Sequence, residues 1–297
     1  MSLQIATSLS EALSAVAAGA RPVAGGSDLV VAARQGTSAL PERLVAIDRL
    51  DELKGIAVDD AGLRIGAGVS HADVMSHPVV IGNYTALADA GALVGSPSTR
   101  NVGTIGGNVM NASPAMDTGA PLVVLGAHVE LATTHGSRRI PIAHLWDGPG
   151  STTAAPEELC VALYVPASAD RSGSAYVRLE FRRAMEIAVV GAAAAVTLDD
   201  RGAIGSCRVA LSAVAPTIVE VPELDVAGRP PDEVAVLAAD AARTAASPIS
   251  DLRASDRYRL HTVGVMASRA VDAAARRAKG ESIAVPINRA EGIGAAR

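Results

Sequence analysis

Two glycine pairs, each followed by a polar side chain, are the residues of this sequence best suited to chemistry: Gly25-Gly26-Ser27 and Gly106-Gly107-Asn108. Adjacent glycines reach positive φ and carry no Cβ, so consecutive N–H groups can converge on one concavity and bind an anion. Ser27 and Asn108 add a side-chain donor at each rim. Neither turn is a P-loop, because the Lys-Ser/Thr of GxxxxGK[ST] is missing, and neither is a GxGxxG, of which Gly66-Ala67-Gly68 supplies only the first half. One glycine pair is ordinarily just a tight turn. Two pairs in successive units have another use, since the diphosphate of a dinucleotide needs donors from two directions and a cleft between the units would provide them. Asp117, just past the second pair, would repel a diphosphate. It either reaches a neutral hydroxyl, such as those of a ribityl chain, or caps the helix-like segment 118–125.

The elements that would position these turns are read from capping and periodicity. Ser8-Leu9-Ser10-Glu11 is a capping-box pattern, and Leu9, Ala12, Leu13 and Val16 follow at helical spacing up to Gly19, so a helix opens the chain. The run 21–24 reads as a strand entering the first glycine pair, with an apolar continuation over 29–33. With strands over 44–48 and 63–68, residues 1–56 form a small α/β unit. Residues 57–166 form a second unit: helices over 71–76 and 84–92, the second glycine loop, and strands over 128–132, 138–142 and 160–165. A Pro-, Ser- and Gly-bearing linker, 166–173, leads to a third unit over 174–285. There, long strands over 176–182, 188–198 and 207–214 precede two helices, and Asp199-Asp200-Arg201-Gly202 reads as a hairpin turn. The second helix, 257–279, ends in Arg276, Arg277 and Lys279, a solvated cationic terminus complementing the helix dipole. The fold class expected is α/β followed by α+β, with an antiparallel sheet and helices at the C-terminal end.

Composition removes several function classes. A net charge of −5 and 2% aromatic residues exclude both the electrostatic footprint and the stacking platform of a nucleic-acid binder. No apolar run approaches the roughly 18 residues of a membrane span. The first twenty residues lack a basic n-region, so a cytoplasmic location is expected. Cys160 and Cys207 stand apart with no CxxC, which gives no self-contained zinc or iron–sulfur site. The histidines form no HExxH, and His71 and His77 read as surface residues.

Three stretches together resemble the FAD-binding, or medium, subunit of the molybdenum hydroxylases, the family of xanthine dehydrogenase and aerobic carbon monoxide dehydrogenase: AGGSDL (24–29), LRIGAGVSHADV (63–74) and RNVGTIGGNVMNASPAMD (100–117). The similarity continues through YVRLEFRRAMEIAVVGAA (176–193) and SDLRASDRYR (250–259), so it covers nearly the whole chain. The resemblance implies two FAD-binding subdomains of vanillyl-alcohol-oxidase (PCMH-like) type and a C-terminal α+β domain. It assigns the diphosphate turn to Ala24, Gly25, Gly26, Ser27 and Asp28, and a second binding loop to Thr104, Ile105, Gly106, Gly107 and Asn108. Asp117 falls at the family's flavin-binding aspartate, and Arg178 at a lysine beside the flavin, where a planar fork replaces a point charge. Ile187 falls where a residue packs on the isoalloxazine ring, and Cys160 lies in a segment that nears the flavin, with the character of a buried small hydrophobe.

By the same resemblance, a large subunit holding a molybdopterin-type molybdenum cofactor oxidises the substrate and a small subunit with two [2Fe-2S] clusters relays electrons to the FAD. They then pass to NAD or another acceptor, in a dimer of heterotrimers. The competing readings are a self-sufficient flavin oxidoreductase of vanillyl-alcohol-oxidase type, opposed by the scarcity of aromatics, and a scaffold that has lost its flavin, opposed by two intact glycine turns. A nicotinamide-only Rossmann dehydrogenase lacks its GxGxxG.

Overall fold

Three sheets organise the chain, each from a different residue pattern; the computed structural model describes residues 1–293. The first sheet is parallel, with Ser2–Ile5 and Arg21–Val23 on either side of Arg43–Ala46. Parallel neighbours need crossovers, and helices Leu9–Ala17 and Ser27–Arg34 supply them. Pro22 is tolerated because its strand is an edge. A strand therefore precedes the helix expected to open the chain. The apolar continuation over 29–33 is also helical, because Gly26 turns the chain at φ 66° and Asp28 and Arg34 then complement the helix dipole.

The second sheet is antiparallel, in the order Ile56–Asp59, Gly62–Gly66, Leu159–Pro166, His128–Thr133 and Gly136–Pro141. The chain between its second and fourth members is helical: His71–Ser76, Pro78–Asn83, Thr85–Leu93, Pro97–Val102, Ile105–Asn111 and Gly119–Val124. What the sequence presents as one long glycine-bearing loop is thus two short helices. Ser96 accepts from Thr99 N at 3.2 Å and Thr104 from Gly107 N at 3.1 Å, and each of these side chains caps one helix.

The third sheet, Ser172–Leu179, Val190–Leu198, Ile204–Ser212 and Val219–Glu220, is antiparallel, and the expected hairpin turns at Gly202 with φ 82°. Ala192, Ala194 and Val196 pack toward helices Pro231–Ala245 and Asp256–Ala278, while Ala193 and Tyr176 join the core of the second sheet. A strand covered on both faces needs small residues, hence the alanine run. Across this contact Arg277 pairs with the fully buried Asp89, whose carboxylate also accepts from Tyr176 N and Ile287 N. Arg277 is therefore a buried clamp rather than part of a solvated terminus; Arg276, paired with Glu281 at 2.6 Å, keeps the surface role. No described helix is long and apolar enough to cross a membrane.

Candidate functional site

The first glycine turn joins strand Arg21–Val23 to helix Ser27–Arg34, with Gly26 left-handed at the helix start and no side chain capping it. Among the described residues the N–H groups of Ser27, Asp28 and Leu29 have no protein acceptor. These are open donors at the positive end of a helix. Asp28 stands in this first turn, and partial burial raises its pKa. Gly25 is held against the second loop: a Cβ there would overlap the Val102 carbonyl and stand 3.0 Å from Gly103 N.

The second turn differs from the expectation. Neither Gly106 nor Gly107 has positive φ, and the N–H groups from Ile105 to Asn108 are all taken, by Val69 O, Ala67 O, Thr104 Oγ1 and Thr104 O. It is no anion nest, because the helix and the neighbouring strand end consume its donors. Gly106 is glycine for packing, since a Cβ would stand 2.5 Å from that of Ala67. Ile105 is buried in the core and Gly107 is exposed. Asn108 accepts the Thr118 hydroxyl at 2.6 Å through Oδ1.

A cleft of about 670 Å³ is lined among others by Ala24 and Gly25 of the first turn, by Val102 and Thr104 ahead of the second, and by Lys54 and Ser70; Gly26, Ser27, Asp28 and the residues from Ile105 to Asn108 are outside its lining. Lys54 and Ser70 escaped the sequence reading. The signal for Ser70 was present, as it follows Gly66-Ala67-Gly68 and caps helix His71–Ser76 through Asp73 N at 3.1 Å. Lys54 had none, since its place depends on how the first two sheets meet.

Asp117, Cys160, Arg178 and Ile187 do not line this cleft. Asp117 is not a helix cap: the N-cap of Gly119–Val124 is Thr118, and both Asp117 oxygens are engaged, by Tyr176 Oη at 3.0 Å and Arg178 Nη1 at 2.8 Å. Arg178 is fully buried, with Nε 2.8 Å from Glu180 Oε2. Its Nη2 lies 2.7 Å from the same oxygen, too poorly aligned to be a hydrogen bond. Burial opposes its charge, but Asp117 and Glu180 outweigh burial and its pKa is raised. The same surroundings, burial first and then Asp117, raise that of Tyr176. Cys160 is sealed beside the bulge of strand Leu159–Pro166, its thiol pushed up to about 12 by burial and then by Glu130, which leaves it unreactive. Ile187 is 47% exposed in the loop between strands Ser172–Leu179 and Val190–Leu198, and Phe181 and Met185 of that loop are exposed too.

An uncapped helix start and a neighbouring glycine packed against Val102 fit the diphosphate of a dinucleotide, and define a protein of the dinucleotide-binding class. Residues 1–168 match the FAD-binding domain in molybdopterin dehydrogenase, and 175–274 match the CO dehydrogenase flavoprotein C-terminal domain. The putative FAD-binding subunit of xanthine dehydrogenase from Escherichia coli K12 is 30% identical over 88% of this chain and 91% of its own length. The carbon monoxide dehydrogenase medium chain of Hydrogenophaga pseudoflava is 34% identical over 80% and 83%. Among solved structures, the reconstituted CO dehydrogenase from Oligotropha carboxidovorans superposes with TM-score 0.88 at 29% identity over 93% of this chain and 98% of that one. The chain belongs to the family of FAD-binding medium subunits of the xanthine dehydrogenase and carbon monoxide dehydrogenase complexes, and is an oxidoreductase subunit with the mixed α/β fold of those medium chains.

Proposed function

We propose that this chain is the FAD-binding electron-transfer subunit of a heterotrimeric molybdenum hydroxylase, taking electrons from the [2Fe-2S] clusters of a small subunit. A large molybdenum subunit would perform the substrate oxidation, NAD or another carrier would be the final acceptor, and the assembly would be a cytoplasmic dimer of heterotrimers. The observation that carries this reading is the seating of the first glycine turn, Gly25 against Val102, beside one cleft, with its N–H donors open. The flavin would supply the redox chemistry, accepting and passing on electrons one or two at a time.

This chain's own residues bind and orient. Ser27, Asp28 and Leu29 would direct main-chain N–H groups at the diphosphate, Thr104 would shape the far wall, the exposed Gly107 would approach the flavin nucleotide, and Ile187 would cover the ring with aliphatic surface. Arg178 would hold Asp117 in place from behind. The proposal includes the vanillyl-alcohol-oxidase (PCMH-like) character of the FAD-binding units, and their division at 1–56 and 57–166 from a C-terminal unit at 174–285.

Purification after co-expression with neighbouring genes tests this, with an absorption spectrum and mass spectrometry of cofactor and subunits. A flavin band with FAD and two co-purifying redox subunits is expected. FAD on a solitary chain that turns over a small substrate would favour the self-sufficient flavoenzyme, and absence of flavin from every preparation would leave a scaffold.

A further inference from the structure

His71 opens helix His71–Ser76 next to Ser70 of the cleft, and instead of lying on the surface its side chain is buried, 2% exposed. Its main chain is fixed, with the N–H donating to Gly103 O at 3.1 Å. Among the described residues no protein group hydrogen-bonds either ring nitrogen, and Nδ1 is sealed from the surface. A sealed N–H without an acceptor is rarer in proteins than an under-used acceptor, so the neutral ring carries its proton on Nε2. Burial, and then the Arg100 guanidinium, hold the imidazole at about 4, which keeps it neutral at physiological pH.

The ring presents Cδ2, the carbon bonded to Nε2, to the seam between the glycine turns. Cδ2 lies 3.4 Å from where a Cβ on Gly103 would stand, and Ser27 Oγ lies 3.5 Å from that same point. The seam thus joins open N–H groups at a helix start to a buried polar side chain that has no partner within the protein. We propose that the Nε2–H of His71 is a neutral hydrogen-bond donor to the diphosphate of the dinucleotide held at this seam, an inference that rests on the FAD-binding reading. Other titratable groups stand close by: Asp28, its pKa raised by burial, is in the open turn itself, and Asp48, Lys54, Asp73 and His77 line the cleft. Asp89 of Thr85–Leu93 is bound to Arg277, Asp73 to Ser70, and His77 begins the next helix. An anion that accepts from His71 raises the His71 pKa from about 4, so the His71 share of the affinity grows as pH falls toward that value.

Deflavo full-length chain is titrated with FAD and with riboflavin, which has no phosphate, for wild type, His71→Phe and His71→Gln. The phenylalanine variant is expected to lose roughly ten- to a hundredfold in FAD affinity, as for a hydrogen bond to a charged group. Riboflavin affinity should not change. His71→Gln, whose amide nitrogen stands near the place of Nε2, should stay within a few-fold of wild type but lose the pH dependence. Equal FAD affinity in wild type and His71→Phe overturns the proposal, and so does an equal loss for FAD and riboflavin, which marks a packing role. If wild type binds neither, the FAD reading itself fails. Should His71→Phe not fold, the imidazole 15N resonances of the wild type decide: Nε2 shifts on adding FAD if the bond forms, and an unmoved signal overturns it.

Discussion

The two glycine turns look alike in sequence and use their main chains in opposite ways. Around Gly25-Gly26 one glycine is left-handed, the helix start is uncapped, and the N–H groups of Ser27, Asp28 and Leu29 stay free. Around Gly106-Gly107 both glycines are helical, every N–H from Ile105 to Asn108 has a protein acceptor, and the missing Cβ of Gly106 serves close packing on Ala67. An open turn can hold an anion with its backbone. A closed turn can only offer a smooth wall.

The sharpest way to break this contrast is Gly25→Val. The new side chain would meet main chain of Val102 and Gly103, which cannot rotate away. We expect a loss of about 3 kcal/mol or more in stability together with loss of flavin, read by urea unfolding and by the flavin-to-protein absorbance ratio.

Acid probes the seam from beneath. His71 sits at about 4 in the folded protein against 6.5 for an ordinary histidine, so the unfolded chain binds the proton more tightly and lowering the pH favours unfolding. The stability that the neutral ring contributes is complete above pH 6.5 and is lost as pH falls through 4. Comparing unfolding of wild type and His71→Gln across this window should reveal an acid loss up to about 3 kcal/mol larger in wild type.

Gly106→Ala tests the closed turn. A methyl group 2.5 Å from the Ala67 Cβ should cost about 2 kcal/mol by thermal or urea unfolding, while the folded fraction keeps its flavin stoichiometry. A selective loss of flavin with unchanged stability would show that the second turn binds with its backbone after all. The smallest effect belongs to Gly107→Ala, whose Cβ meets only the rotatable Thr104 Oγ1 at 3.0 Å. Losing that cap and gaining helix propensity nearly offset, so stability should change by less than about 1 kcal/mol. Any drop in FAD affinity then reports whether Gly107 approaches the flavin nucleotide.

Features closed by near neighbours in sequence were legible. Ser8 accepts from Glu11 N at 3.2 Å as its spacing predicts, and Asp199 to Gly202 makes the hairpin turn. Leu29 to Ala33 stays unassigned in sequence because five apolar residues suit strand or helix equally, and the left-handed Gly26 with the flanking charges decided. Arg277 read as solvated because its partner, Asp89, is 188 residues away. His71 read as surface for the same reason: nothing in SHADV reports the helices and glycine seam that close over it.

The sequence by itself determined the caps, the glycine positions and the family motifs, because each depends on φ preferences and hydrogen bonds reaching three or four residues. Only the tertiary structure decided which glycine turn keeps its N–H groups free, which carboxylate is locked by Arg178, and that the His71 ring is buried without a partner. Those outcomes depend on acceptors brought in from distant elements, Ala67 and Val69 above all, and on burial, which no local pattern encodes.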